Sequence, residues 1–274
     1  MLVIEAQGLR KEFDGVVAVA HLDMEVHQGE IFGLLGPNGA GKTTTIRMLL
    51  DIIKPDAGII RVLGEPLSER TKERIGYLPE ERGLYRGYRL EECLAYFGQL
   101  KGLSRREAHR RARALLARVG LEEYARSKIK ELSKGMQQKA QFIATILHDP
   151  DLVILDEPFQ GLDPINVELV KEMIRELQER GKTVVLSTHM MNQVEALCQR
   201  ILLINQGQTV LYGPIDEVKA RYARHAVRLC SPEPLPDLPG VRRVEHHDRE
   251  YELILEDTVS PRTSCANWWS KECR

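Results

Sequence analysis

The sequence predicts an α/β fold built on a parallel sheet, and two short stretches carry most of that prediction. Ile31-Phe32-Gly33-Leu34-Leu35 and Leu152-Val153-Ile154-Leu155-Asp156 are continuous rather than alternating apolar runs. A strand reads that way when both of its faces are buried, as in a parallel sheet covered by helices. The first run is followed by Thr44-Thr45-Ile46-Arg47-Met48-Leu49-Leu50, whose apolar residues fall at helical spacing. A third observation is a change of texture: short β-branched runs dominate early, and helical patterning takes over from about residue 85 to 148. The expected architecture is a parallel core with an N-terminal antiparallel β subdomain and an inserted helical subdomain, all within residues 1–215. Residues 216–274 are expected to form a small α+β domain.

The elements follow in order. Leu2-Val3-Ile4-Glu5-Ala6 and Val16-Val17-Ala18-Val19 read as strands, with turn signals at Asp14-Gly15 and Gln28-Gly29. Phe13, just ahead of the first turn, suits either stacking on an adenine ring or a place in the core. After the first helix, Lys54-Pro55-Asp56-Ala57-Gly58 breaks the chain, and Ile59 to Leu63 and Arg74 to Leu78 return as strands, the latter ended by Pro79. Ser104-Arg105-Arg106-Glu107 is a capping box opening a helix that stops at Gly120. The arginines from Arg105 to Arg113 read as a solvated helix face. Asp163-Pro164 opens another helix, with the acid as N-cap and proline in the first turn, ending at Arg180-Gly181. Thr183 to Thr188 is a further buried strand with His189 at its end. A helix from Pro214 to Arg224, a strand Ala226 to Cys230, a proline-rich stretch and a hairpin of Val241 to His246 with Tyr251 to Leu255 complete the ordinary part.

Composition narrows the partners. Among 274 residues, Lys+Arg of 39 against Asp+Glu of 40 give a formal net charge of -1, so nucleic acid is not an expected partner. The start, Met1-Leu2-Val3-Ile4-Glu5, reaches an acid too soon for a secretory leader, and no apolar run approaches the roughly 18 residues of a spanning helix. Five cysteines at irregular spacing, Cys93, Cys198, Cys230, Cys265 and Cys273, are expected to be reduced and mostly buried.

The chemistry is concentrated in three places. Gly36, Pro37, Asn38, Gly39, Ala40, Gly41, Lys42 and Thr43 fit G-x-x-x-x-G-K-[ST] between a strand and a helix, with Thr44 following. In that context the glycines let backbone N–H groups converge on phosphates, Lys42 reaches the β and γ phosphates, and the Thr43 hydroxyl is placed to ligate Mg²⁺. The site implied is one for a nucleoside triphosphate. The run ending at Asp156 delivers two carboxylates to the C-terminal end of a buried strand, where open α/β sheets bind ligands. Asp156 is expected to hold Mg²⁺ and Glu157 to orient and deprotonate a water for attack on the γ-phosphate. His189 occupies the same end of the next buried strand, where a histidine can donate to that phosphate.

Leu132-Ser133-Lys134-Gly135-Met136-Gln137-Gln138, ahead of the Asp-Glu strand, resembles the signature of ATP-binding-cassette (ABC) ATPases, usually Leu-Ser-Gly-Gly-Gln. With it the other pieces fall into that family's order over roughly residues 2 to 215. The resemblance implies a P-loop NTPase fold with a RecA-like core, and ATP and Mg²⁺ as ligands. It places Phe13 against adenine, Glu157 as catalytic glutamate, Asp163 in the D-loop after Gly161-Leu162, and His189 as switch histidine. Ser133 and Gly135 would face the γ-phosphate of a second subunit, so a dimer is implied. Two departures stand out: Lys134 and Met136 replace a glycine and a glutamine, and Glu80 stands at the Q-loop glutamine position, where it can still ligate Mg²⁺ through oxygen.

One cassette without a spanning helix looks like the nucleotide-binding subunit of a transporter, peripheral on the cytoplasmic face of the membrane beside an integral permease. Leu84-Tyr85 and the helix after Arg89 fall where permease coupling helices dock in relatives. The C-terminal part looks like the accessory domain of sodium-efflux and multidrug-export ATPases. The alternatives are a soluble ABC ATPase of repair or translation, whose coiled coil or second cassette the sequence lacks, and a weakly hydrolysing regulatory subunit. Finally, Arg262 to Arg274 shows no helical or strand period yet holds both tryptophans, Trp268 and Trp269. A one-nucleotide shift of reading frame can turn Asn267-Trp268-Trp269-Ser270 into Leu-Val-Val within an amphipathic helix, so a frameshifted tail is expected there.

Overall fold

The computed structural model describes residues 1–81, 83–222, 226–230, 238, 240–247 and 250–255. β1 (Leu2–Phe13) and β2 (Val16–His27) form a long antiparallel hairpin. Its two-residue turn has both Asp14 (φ 47°) and Gly15 (φ 83°) in the left-handed region, the geometry that matches the twist of paired strands. β4 (Ala57–Val62) adds to the outer edge of β1, also antiparallel. Both hairpin strands are far longer than the sequence runs implied, because register shifts interrupt the alternation that would mark their full length.

The core strands are β3 (Ile31–Leu35), β5 (Ile75–Leu78), β6 (Leu152–Asp156), β7 (Thr183–Thr188) and β8 (Arg200–Asn205). They pair in parallel in the order β8-β3-β7-β6-β5. Every residue of β3, β6 and β7 is buried, as expected of strands covered on both faces. β9 (Gln208–Pro214) returns antiparallel to β8 and touches β2 through the parallel pair His21 and Gln208. The expected antiparallel β subdomain is therefore continuous with the core in a single nine-stranded mixed sheet, order β4-β1-β2-β9-β8-β3-β7-β6-β5.

α1 (Lys42–Leu49) packs Ile46, Met48 and Leu49 into one apolar cluster with Phe32, Leu34, Ile154, Val185 and Leu202 of the core strands. Ile4, Leu9, Leu22 and Met24 of the hairpin join that cluster. Each fully buried side chain of this size stabilises by about 1.5–3 kcal/mol relative to exposure, so the hairpin and the core form one packed unit. α2 (Glu69–Glu73), capped by Ser68, and α7 (Met191–Leu197) are short helices with too few turns to show a period in sequence.

Between β5 and β6 lie α3 (Leu90–Leu100), α4 (Arg105–Arg118), two 3-10 turns at Glu122–Tyr124 and Ile129–Glu131, and α5 (Lys134–Ile146). Only half of the expected capping box forms. The Ser104 hydroxyl accepts from the Glu107 N–H at 3.3 Å, but the Glu107 carboxylate turns to Arg110 and Arg111, each at 2.6 Å. Charge-assisted contacts to two guanidinium groups outcompete a single backbone N–H. They also hold the Glu107 pKa down at about 2. α6 (Pro164–Glu179) follows β6, with the Asp163 carboxylate accepting from the Asn166 N–H at 3.0 Å.

The chain divides into two compact units, Met1–Ile215 and Asp216–Arg274. At the start of the second, α8 (Ile215–Tyr222) precedes β10 (Ala226–Cys230), β11 (Val241–His247) and β12 (Glu250–Leu255), which form an antiparallel sheet in the order β10-β12-β11. The stretch 231–237 and the tail from 262 lie outside the described residues. Cys93 and Cys198 are buried free thiols, whereas Cys230 is exposed.

Candidate functional site

The phosphate-loop sequence fills the six residues between the end of β3 and the start of α1 and continues into Lys42 and Thr43, the first two residues of that helix. Two of its glycines are imposed by close approach. A Cβ on Gly36 would lie 2.3 Å from the Ile204 carbonyl oxygen, and one on Gly41 (φ 108°) would lie 2.5 Å from that of Ala18. The loop can therefore close against β8 and β2 only without side chains there. The resulting cleft, a cavity of about 320 Å³, is lined by Asn38 to Thr44 together with Ala18, Glu80, Asp156 and Glu157. Lys42 is 6% exposed and donates to the carbonyls of Gly36 at 2.7 Å and Pro37 at 3.1 Å, which keeps its ammonium beside the loop's own amides.

Asp156 closes the opposite wall. Its carboxylate accepts from the Thr43 hydroxyl at 2.9 Å and the Ser187 hydroxyl at 2.7 Å. The group is fully buried, and burial raises its pKa against those two hydrogen bonds; the neighbouring Glu157 charge adds to the rise and Lys42 opposes it. One carboxylate and one hydroxyl are hard oxygen donors of the kind Mg²⁺ takes, in an incomplete shell that phosphate oxygens and water would fill. Among the described residues no group of three or more His, Cys, Asp and Glu is placed to hold a metal ion; Glu80 lines the same cleft as Asp156.

Glu157 faces away from Asp156. Its backbone is left-handed (φ 49°), a strained setting for a residue with a side chain, and its carboxylate meets three donors. These are the Thr188 hydroxyl at 3.1 Å, the His189 N–H at 3.1 Å and the His189 Nδ1 at 2.8 Å. Since the carboxylate only accepts, Nδ1 carries the proton and Nε2 of this half-exposed ring is left outward. Neighbouring acids at one strand end thus serve two directions, one toward the loop lysine and threonine, the other toward the end of β7.

The remaining sequence-predicted residues lie apart from the cleft lining. Phe13 is 45% exposed, which removes the core alternative, and the Lys11 ammonium sits 5.2 Å from its ring centre. Ser133 caps α5 by accepting from the Met136 N–H, and Gly135 abuts the Gly161 carbonyl, where a Cβ would come to 3.2 Å. The signature segment therefore packs on the D-loop that precedes Asp163. Sequence reasoning missed Ser187 and Thr188, although their place at the end of a buried strand beside Asp156 and Glu157 was the available signal. It also missed Gln138 and Gln141 of α5, both buried.

Comparison with known proteins agrees with this geometry. The ABC transporter family model matches residues 19–160. An uncharacterized ABC transporter ATP-binding protein of Methanocaldococcus jannaschii is 46% identical over 220 residues, 80% of each chain. The Nod factor export ATP-binding protein I of Cupriavidus pinatubonensis is 38% identical over 235 residues, 84% of this chain and 72% of that one. Among solved structures, an ATP binding subunit of an ABC transporter superposes with a TM-score of 0.75 at 31% identity, covering 80% of this chain and 93% of the other. The cbiO1 protein of Clostridium perfringens, part of the ABC transporter complex cbiONQ, gives 0.70 at 26% identity over 80% and 91%. With the phosphate loop, the paired acids and the signature in one fold, the chain belongs to the ABC transporter family as an ATP-binding protein.

Proposed function

We propose that the chain hydrolyses ATP to ADP and phosphate, and that hydrolysis drives export of a solute through a separate integral membrane permease. In this reading it works as a dimer on the cytoplasmic face of the membrane, with residues 216–274 as the accessory domain of a sodium-efflux or multidrug-export type. The observation that carries hydrolysis is the division of labour between the two adjacent acids. Asp156, bonded to Thr43, faces the place where Mg²⁺ would sit; Glu157, bonded to Thr188 and His189, is free of that duty and can take a proton from water. Bound Mg²⁺ would supply the charge that neutralises the transferring phosphoryl group. Lys42 and the loop amides hold the β and γ phosphates, His189, with Nδ1–H on Glu157, donates to the γ-phosphate from Nε2 as the doubly protonated imidazolium, and Glu80 accepts from the ion's water shell. Ser133 and Gly135 serve the second copy's nucleotide, Asp163 fixes the segment between them, and Phe13 stacks on adenine. Export is supported by the similarity to a Nod factor export ATP-binding protein.

The test is Glu157→Gln. ATP binding should persist while turnover falls by about 10² or more, since the carboxylate acts on water and not on the ground-state nucleotide. Normal turnover at saturating ATP would remove Glu157 as the base. Glu80 at the glutamine position favours a second reading, a regulatory subunit that scarcely turns over; single-turnover hydrolysis by the purified wild-type chain separates the two.

A further inference from the structure

α5 carries an unusual burden of buried polar side chains: Gln138 is 7% exposed, Gln141 4% and Thr145 5%. They recur at helical spacing, so one face of the helix presents two amides and a hydroxyl to the sheet. Outside the helix itself, their partners are backbone carbonyls at or just beyond the ends of β5 and β6. The Thr145 hydroxyl lies 3.0 Å from the Gln141 carbonyl of its own helix and 3.3 Å from the Tyr77 carbonyl, and Gln138 donates to the Pro158 carbonyl at 3.1 Å. The Gln141 amide donates to the carbonyls of Pro79 and Glu81, both at 3.0 Å. The orientation of that amide is not ambiguous, because both partners are acceptors and only its nitrogen can donate. Its two N–H groups thus bracket Glu80 from either side.

The bracket has a physical purpose. β5 ends at Leu78, so residues 79–81 have left the sheet and its ladder no longer fixes them. Glu80 also lines a cleft whose opposite wall carries the Asp156 carboxylate. Two carboxylates lining one small cleft repel, and an untethered segment would relieve that by swinging Glu80 outward. We infer that Gln141 is a positioning residue, which holds the Glu80 segment at the phosphate cleft and thereby ties the helix that begins at Ser133 to the metal side of the site. This rests on the reading of Glu80 as a contact to the ion's water shell. Gln141 itself reaches no substrate; it acts through the backbone on either side of Glu80.

The experiment uses the full chain with Gln141→Met, which keeps the volume and removes both donors, and Gln141→Glu, which keeps the shape and sets an acceptor against two carbonyls. Hydrogen exchange of peptides spanning 77–84, without nucleotide, reads the bracket directly and should accelerate on the order of tenfold in both variants. Binding of a non-hydrolysable ATP analogue should require about tenfold more Mg²⁺ for half-saturation, as for loss of other outer-shell supports. Its affinity in EDTA should change less than about twofold, which a merely structural defect would not respect. Glu80→Gln should shift the Mg²⁺ requirement too, and adding Gln141→Met to it should shift it no further. Unchanged exchange in both Gln141 variants would overturn the inference outright. A Mg²⁺ shift in Glu80→Gln but not in the Gln141 variants would overturn it while sparing the role of Glu80. No shift in either would remove that role, and this inference with it.

Discussion

Single side chains in this protein act through what surrounds them, and His148 shows the effect without any part in the site. Its Nε2 lies 3.3 Å from the Ile75 carbonyl, which also receives the Lys101 ammonium at 3.1 Å. Burial, then the Lys101 charge, lowers the ring's pKa from 6.5 to about 4, with the Ile75 hydrogen bond opposing. Below pH 6.5 the unfolded chain takes up a proton here that the folded chain refuses until about pH 4. The free energy of unfolding should therefore fall as pH drops through that window, by on the order of 2 kcal/mol once partial exposure is discounted. Carboxylates titrate in the same range, so the measurement is a difference: denaturant melts of wild type and His148→Gln at pH 4 to 7. Parallel curves for the two proteins would refute the assignment.

At the scale of elements, close approach of α5 to β5 determines whether the polar face of that helix can reach the sheet. Gly76 makes the approach possible, since a Cβ there would lie 2.3 Å from the Thr145 carbonyl and 3.1 Å from the Pro150 ring. Backbone cannot yield by more than an ångström without moving the helix, so Gly76→Ala should destabilise by about 1–3 kcal/mol. It should also loosen the Thr145 and Gln141 contacts together; an unchanged melting midpoint would sink the argument. Much of this was hidden in the sequence. β3, β6 and β7 were legible because burial on both faces gives each an unalternating apolar centre, with polar residues only at the ends of β6 and β7, and the helix starts at Ser104 and Asp163 were legible from capping chemistry. Gln137-Gln138-Lys139 and Gln141, by contrast, look like solvated helix surface. Their burial depends on which loops lie beneath α5, and that is tertiary information. Likewise Glu107 was assigned to its own N-cap because one-dimensional spacing does not weigh two competing arginines.

For the whole molecule, the decisive fact is that the site residues fall into two groups. Lys42, Thr43, Glu80, Asp156 and Glu157 line the phosphate cleft, while Ser133, capping α5, and Gly135, against Gly161, do not line it. Within the proposed function, one copy then holds two half sites, and a second copy related by a twofold axis completes both. Two defects in different halves should complement. Lys42→Ala removes the cleft half and Ser133→Arg the signature half, so each variant alone should be inactive, having no complete site. Mixed in equal amounts and allowed to exchange subunits, half of the dimers would be heterodimers carrying one intact composite site of two. Activity should recover to at most about a quarter of wild type at equal total protein, rising with concentration as dimers form. Recovery that depends on the mixing ratio, with a maximum near equal amounts, identifies a shared site; no recovery at any ratio, with both variants folded and dimerising, would mean that each copy completes its own.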